Sequence, residues 1–579
     1  LLQELTMFKE TGIDTAQLDA ERIFEKPVHR ISRRIQEDFW RGLVRRIDER
    51  GLPALIRDDK VATEDGRHYL YVPSDDAVAA SYFSGLEKRH PDWNLSTVVL
   101  PPRITPEYVR DLKGRHGLLT LGLRETPSGD LEGEPFIVPG GRFNEMYGWD
   151  SYFIVLGLLK DGRVDIARSI VENCIYEIRH YGAILNANRT YYLTRSQPPF
   201  LTSMAIACYG RLPRNRATRK WIAAAMEAAI AEYRNVWMNA DHLTSTGLSR
   251  YFDSGTGAPP EVEPGHYDQI FEKYAKRAEM PADRLKNGYE SGSLHVPELD
   301  AYFKHDRAMR ESGHDSSYRL VGCCADLVTV DLNSLLYKIE SDIASILSSE
   351  FGGELTLSNG SVESAAAWKA KAEERKALMN RYLWNPTQGM FFDYDFVRGT
   401  QTTYLSATAF YPLWSGLATG DQARRLLQAA LPLLETAGGV AGSSLVSRGP
   451  VSRERPQYQW DYPFGWAPHQ MLLWQGLMDY GYDGVARRLA YKWLYTMTLN
   501  AVQYNGTIPE KFDVELRTHE VFAEYGNVGT TFSYITREGF GWTNASYEVG
   551  LNLLPPELID ALNRLVPPEW EFLAEKRKH

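Results

Sequence analysis

The sequence predicts an all-α protein built from paired helices, on three observations. From about residue 136 the chain divides into stretches of helical length, few stretches alternate as strands do, and long polar and aromatic loops separate the stretches. Segment 217–237 is typical, because small and apolar residues recur there at i, i+3 and i+4. Such a pattern favours a barrel of helical hairpins that carries its chemistry in loops at one end.

The first part of the chain differs from this pattern. Amphipathic helices are predicted near 14–24 and 31–49, and extended pieces such as HYLYVP and STVVLPP follow them. We interpret residues 1–135 as an N-terminal arm of helical and extended segments that packs on a barrel formed by 136–579. The acidic residues between 58 and 65 do not have the spacing of a calcium-binding loop.

The barrel region contains the clearest helix predictions. These cover 164–181, 217–237, 329–348, 363–382, 421–436, 467–479, 484–498 and 556–566. An apolar fraction of 43% and a charged fraction of 24% are those of a globular protein with a core of its own.

Composition excludes several classes of partner. The formal net charge is −10 and no long run of Lys or Arg occurs, so we expect no nucleic-acid binding. No stretch of 18 apolar residues is present, so we expect no membrane span. The four cysteines fit no zinc pattern, and we interpret them as buried reduced thiols, which points to the cytoplasm.

The stretch PGGRFNEMYGWDSY, residues 139–152, has neither helical nor strand periodicity. It combines Arg142, Trp149 and Asp150 with further aromatic rings and a Gly-Gly pair. An arginine offers a planar fork of donors for paired hydroxyls or a carboxylate, and aromatic rings suit the C–H face of a pyranose. The alternative is a loop that only plugs the end of a core.

A second stretch, QWDYPFGWAP at 459–468, again combines Trp, Asp, Gly and Pro. Together the two stretches resemble the signature motifs of trehalases, the α,α-trehalose hydrolases of glycoside hydrolase family 37. The resemblance implies an (α/α)6 barrel, hydrolysis of trehalose to two glucoses with inversion, and no metal or other cofactor in this chain.

Glycosidic hydrolysis needs two carboxyl groups that flank the bond. Asp315 lies between two arginines in RESGHDSSYR, where apolar residues do not recur with helical spacing. This loop resembles the one that supplies the general acid of trehalases, with Arg310 and Gly313 at substrate-contacting positions. A plain helix N-cap is the alternative for Asp315. To donate a proton at neutral pH, its pKa must be raised.

Glu510 lies in TIPEKFDV, which resembles the trehalase loop that carries the general base. The downstream segments EYGN and EGFGWTNAS resemble the family as well. A solvent-exposed Glu-Lys pair is the alternative reading of Glu510-Lys511, and Asp513 is the local rival for the role of base.

The resemblance also implies further sugar contacts. These are Arg142, Trp149, Asp150, Asn186, Arg195, Gln197, Glu261 and Trp460. Some trehalases have Arg before the Pro-Glu of the Glu261 segment, where this chain has Pro259. Asp461 and Trp466 are expected to complete the wall of the site.

At finer grain the chain resembles the catalytic portion of the fungal neutral trehalases, which are cytosolic. Those enzymes carry an upstream extension with a calcium-binding segment and phosphorylated sites that dock 14-3-3 proteins. Neither feature occurs in this sequence, so we expect no response to calcium or 14-3-3 proteins. Two alternatives remain: another helical-barrel glycosidase acting on α-glucans, and a catalytically silent trehalose-binding regulatory protein.

Overall fold

The computed structural model describes residues 5, 20–56, 63, 65–262, 265–453, 455–523 and 538–572. Its α-helices are α1 (Ala20–Ile23), α2 (Pro27–Arg34), α3 (Trp40–Leu43), α4 (Leu52–Leu55), α5 (Ala77–Arg89), α6 (Pro106–Asp111), α7 (Gly148–Lys160), α8 (Val164–Tyr181), α9 (Leu201–Tyr209), α10 (Arg216–Glu232), α11 (Asp268–Arg277), α12 (Ala282–Glu290), α13 (Pro297–Glu311), α14 (Val330–Phe351), α15 (Ala365–Tyr382), α16 (Tyr411–Trp414), α17 (Gly420–Ala429), α18 (Leu431–Leu434), α19 (Leu445–Arg448), α20 (Ala467–Asp479), α21 (Asp483–Gln503), α22 (Gly541–Leu551), α23 (Pro556–Asn563) and α24 (Pro568–Glu571).

The strands are short. They are β1 (Val44–Arg45), β2 (His68–Val72), β3 (Leu95–Val99), β4 (Leu118–Leu119), β5 (Leu123–Glu125), β6 (Leu131–Gly133), β7 (Phe136–Ile137), β8 (Leu327–Val328), β9 (Glu354–Thr356), β10 (Val362–Ser364), β11 (Trp384–Asn385), β12 (Met390–Phe391), β13 (Tyr394–Asp395), β14 (Thr400–Gln401), β15 (Phe464–Trp466) and β16 (Lys511–Asp513).

Six inner helices form a closed ring. In order they are α7, α9, α14, α16, α20 and α22; each packs against the next, and α22 packs against α7. Almost every residue of α7 is buried, because ring neighbours and outer helices surround it. A closed ring of six inner helices is the core of an (α/α)6 barrel, so the predicted fold class is confirmed.

The outer layer covers the ring from outside. Helices α8, α10, α15 and α21 pack on the inner helices that precede them. Beside α21, the N-terminal helix α2 packs together with α23, so a segment from the start of the chain lies in the barrel wall. The Trp40 indole donates to Asp161 Oδ2 at 2.6 Å and fastens this segment to the turn after α7.

Several helix predictions can be compared with these bounds. The helices predicted over 164–181 and 467–479 are confirmed. The single helix predicted over 421–436 is wrong, since it breaks into α17 and α18, where Pro432 lacks the N–H that a continuous helix needs. The helix predicted over 31–49 ends at Leu43, because the next residues pair with β7. The prediction near 14–24 lies partly outside the described residues.

The extended pieces of the arm form a small α/β module. Strand β2 pairs in parallel with β3 and with β4, and α5 connects β2 to β3. Its apolar core includes Tyr71 and Leu119 and continues into Leu185 and Tyr192 of the barrel. The module therefore packs directly on the loop that joins α8 to α9.

Two further expectations concern chemistry rather than fold. Within the described ranges, no helix has both the length and the apolar character that crossing a membrane requires. The cysteines at 174, 208, 323 and 324 are free thiols, and all but Cys323 are fully buried.

Candidate active site

A cavity of about 230 Å³ lies where three inner helices begin. Trp149 and Asp150 occupy the first turn of α7, Trp466 directly precedes α20, and Trp542 lies in the first turn of α22. The cavity brings together most of the predicted site residues: Arg142, Trp149, Asp150, Asn186, Arg195, Gln197, Glu261, Arg310, Gly313, Asp315, Trp460, Trp466 and Glu510.

The first motif enters the site through the start of α7. A β-carbon at position 148 would lie 2.9 Å from the Leu185 carbonyl oxygen, so only glycine fits at this position without a shift of the backbone. The Trp149 N–H donates to Gln197 Oε1 at 2.9 Å, so a side chain of the next loop caps the helix. Burial, and then the charge of Glu510, raise the pKa of Asp150 well above its ordinary value.

The loop between α8 and α9 supplies further polar groups to the cavity. Asn186 Nδ2 donates to the Arg310 carbonyl at 3.3 Å. Arg195 donates to Glu261 and lies 3.7 Å from Asp253, so its buried guanidinium is balanced by two carboxylates. These pairs fix the donor groups in place before any ligand binds.

Asp315 follows the end of α13 in a sharply turned loop. Gly313 has φ +73, and a β-carbon there would lie 2.8 Å from the Trp149 ring. The Asp315 side chain is 32% exposed into the cavity, and Arg310 Nη1 lies 3.4 Å from its Oδ2. Burial raises the pKa of Asp315 to about 6, while the charges of Arg310 and Arg195 oppose that rise.

Glu510 directly precedes β16, which pairs antiparallel with β15 of the second motif. Its Oε2 accepts from Lys511 Nζ at 2.8 Å. Its carbonyl accepts from Trp542 Nε1 at 3.0 Å and from Thr543 Oγ1 at 3.2 Å. Backbone and side chain are therefore both held, and Glu510 is not a solvent-exposed residue, since its side chain is only 15% exposed.

Four tryptophans line the cavity with flat apolar faces. Trp460 stacks on Trp466 with ring centroids 3.8 Å apart and an interplanar angle of 6°. Trp149 is tilted against Trp460 at 5.6 Å, and Trp542 meets Trp466 edge-on at 5.7 Å. Beside the arginines and carboxyls, these rings form a site that suits a hydroxylated ring with apolar C–H faces.

Two residues named from the sequence lie elsewhere than expected. Asp461 lies behind the wall, where it accepts from Ser317 Oγ at 2.7 Å, the Tyr318 N–H at 3.0 Å and Tyr404 Oη at 2.7 Å. It ties the Asp315 loop to the second motif. Asp513 Oδ1 accepts from two backbone N–H groups of the following turn and closes that turn.

Sequence reasoning did not assign several lining residues a role in the site. These are Pro139, Tyr192, Val262, Gln459, Phe540 and Trp542, whereas the rings of Phe143 and Tyr147 were expected to face a sugar and do line the cavity. Most lie inside the quoted motifs, so proximity in sequence is the signal that could have found them. The segment EYGN, 524–527, lies outside the described residues. Among the residues that the structure describes, no three His, Cys, Asp or Glu side chains are grouped to hold a metal ion.

Comparison with known proteins gives consistent matches over nearly the whole chain. The family model described as Trehalase matches residues 10–555. A probable trehalase of Eremothecium gossypii is 47% identical over 99% of this chain and 79% of its own length. The cytosolic neutral trehalase of Emericella nidulans is 47% identical over 99% of this chain and 78% of its own. The solved neutral trehalase Nth1 of Saccharomyces cerevisiae has a TM-score of 0.87 and 44% identity, and covers 94% of this chain and 97% of its own.

Proposed function

This chain belongs to the trehalase family, and from that premise we propose how its site hydrolyses α,α-trehalose. It is a glycoside hydrolase that converts trehalose and water into two glucose molecules. We assign it to the cytosol, the compartment named for its relatives from Beauveria bassiana, Emericella nidulans and Neurospora crassa.

We propose Asp315 as general acid and Glu510 as general base of a single displacement with inversion. Asp315 protonates the glycosidic oxygen as the bond to it breaks, and Glu510 takes a proton from the water that attacks the opposite face of the anomeric carbon. The observation that carries this proposal is that Asp315 and Glu510 line one small cavity, with Arg310 beside Asp315. Burial in this cavity raises the pKa of Asp315 to about 6.

The remaining polar residues are proposed to bind the two glucose units. Arg142, Arg310 and Asn186 offer donors to hydroxyls, and Asp150 and Glu261 offer carboxyl oxygens. The tryptophan faces pack against the apolar side of each sugar ring. Because several of these groups are already tied to neighbours, little side-chain ordering is left for the moment of binding.

Two finer proposals concern the organisation and the regulation of the chain. The change in sequence pattern near residue 136 supports a division into an arm, 1–135, that packs on a barrel, 136–579. We also propose that regulation by calcium and by 14-3-3 proteins acts through the N-terminal segment known from fungal neutral trehalases.

A proton NMR time course with trehalose, recorded before glucose mutarotates, tests the mechanism. Inversion gives equal amounts of α- and β-glucose, because the leaving glucose keeps its α configuration. Formation of α-glucose alone would mean retention and a different role for Glu510. Asp315→Asn and Glu510→Gln should each lower kcat by about 100- to 10,000-fold, and full activity in either folded variant would remove that residue from the mechanism.

A further inference from the structure

Lys511, next to the proposed base, is completely buried. It belongs to β16, where it lies opposite Trp466 of β15, and its side chain is 0% exposed. Burying an ammonium group is costly unless the charge is paired and hydrogen-bonded. A buried lysine at this position therefore needs strong partners, and its partners indicate what it does.

Those partners, Glu510 and Gln459, both line the cavity. Lys511 Nζ donates to Glu510 Oε2 at 2.8 Å and to Gln459 Oε1 at 2.7 Å. The same ammonium lies 4.7 Å from the centroid of the Trp466 ring, where the negative face of the ring favours a cation. The buried ammonium group of Lys511 thus holds the Glu510 carboxylate in place.

Gln459 continues the chain of hydrogen bonds to the other catalytic residue. The side-chain Nε2 of Gln459 donates to the backbone carbonyl of Asp315. The backbone carbonyl of Gln459 accepts from Trp466 Nε1 at 2.8 Å. The link therefore runs from the Asp315 backbone through Gln459 and Lys511 to the carboxylate of Glu510.

Resting on the roles proposed above for Asp315 and Glu510, we propose that Gln459 and Lys511 form a positioning bridge. The bridge holds the Glu510 carboxylate at a set distance and angle from the Asp315 loop, with room for the attacking water. Inversion requires such a spacing, roughly 6.5–9.5 Å between the two carboxyl groups. The two carboxyls come from loops almost two hundred residues apart, so the spacing depends on cross-links of this kind.

The bridge acts on the base and not on sugar binding, so its loss should affect kcat much more than KM. Lys511→Met removes the charge and the donor at similar size and leaves Glu510 free to rotate. A misplacement of about 1 Å in a reacting group costs about 100-fold in rate, and we expect a loss of kcat of that order.

A matched control is available in Lys492. It also pairs with a glutamate, Glu435 at 2.7 Å, but lies on the outer helix α21, with its side chain 18% exposed. Lys492→Met should leave kcat and KM unchanged. If both variants lowered kcat equally, loss of a lysine ion pair would be enough to explain the effect, and the bridge would be refuted.

Gln459→Ala provides a second variant should Lys511→Met fail to fold. It cuts the link to Asp315 and keeps the pair between Lys511 and Glu510. We expect a smaller loss of kcat, and the double variant should lose less than the product of the two single losses, because the residues act as one unit. Independent effects would overturn the proposal.

α-Glucosyl fluoride separates the base from the acid, since fluoride leaves without protonation. Asp315→Asn should regain rate on this substrate, whereas Lys511→Met should remain slow on both substrates. Recovery of Lys511→Met on the fluoride would overturn the proposal. Full activity of Glu510→Gln would refute the assignment of Glu510 as the base. An inactive Glu510→Gln together with a folded Lys511→Met that has the kcat of wild type would refute only the bridge.

Discussion

Replacing Gly313 with alanine should remove most of the activity and leave the fold intact. Gly313 has φ +73, in the left-handed region that residues with a β-carbon avoid. The new methyl group would lie 2.8 Å from Cε2 and 2.9 Å from Cζ2 of Trp149, where ordinary carbon contacts are about 3.5–4.0 Å. The substitution therefore combines backbone strain with overlap against a wall of the cavity.

The free-energy cost of Gly313→Ala has two parts, the backbone strain and the steric overlap with Trp149. The left-handed conformation costs about 1–2 kcal/mol for alanine, and overpacking costs about 1–3 kcal/mol. Trp149 has little room to retreat, because Phe153 and Trp542 meet it edge-on at 6.0 and 5.7 Å. A sum of about 2–5 kcal/mol is smaller than the usual stability of about 5–15 kcal/mol, so the fold should survive.

The strain is instead expected to displace the loop, and Asp315 is only two residues further along. A shift of about 1 Å at this proposed general acid is expected to cost about 100-fold in kcat. The assay is steady-state kinetics with trehalose, alongside thermal unfolding of the same sample. Gly322→Ala is the control, since φ is +72 there but a β-carbon meets nothing within 4 Å. A folded Gly313→Ala enzyme with the kcat of wild type would refute the reasoning.

Two further predictions concern pH. A general acid works only while protonated, and the pKa of Asp315 is raised to about 6, so kcat/KM should fall as pH rises above about 6; a profile flat to about pH 8 would contradict the assignment. At the contact between the N-terminal helix and α22, burial and then the Asp161 carboxyl raise the pKa of Glu548 from 4.5 to about 8. The folded state thus holds a proton that the unfolded chain releases, so stability should fall between about pH 4.5 and 8. Glu548→Gln should flatten this dependence in thermal unfolding, and an unchanged slope would refute the linkage.

Most residues that line the candidate site could be predicted from the sequence, because they lie in short motifs that each form one loop of the cavity. Burial was harder to predict. Glu510-Lys511 reads equally well as an exposed ion pair, and only the pairing of β15 with β16, strands far apart in sequence, places Lys511 in the interior. Asp461 shows the same limit, since nothing in QWDYPFGWAP distinguishes a residue that lines the cavity from one that braces the loop behind it.

The α/β module was predicted only as extended pieces, yet its sheet supports the loop that carries Asn186 and Arg195, which we propose to bind sugar. The Leu119 N–H donates to the Asn188 carbonyl at 2.9 Å, and Asn188 Nδ2 donates back to the Leu119 carbonyl at 2.9 Å.

Asn188 Oδ1 also accepts from the Met146 N–H of the first motif at 2.8 Å, so a single buried amide joins the sheet edge to two loops of the cavity. The loop from Asn186 to Gln197 thereby extends the sheet beside β4, since Arg189 bridges to Leu118. While the hydrogen bonds of about 2.9 Å between Leu119 and Asn188 are intact, the module and the loop that carries Asn186 and Arg195 must move together. Any movement of the module relative to the barrel therefore displaces that loop.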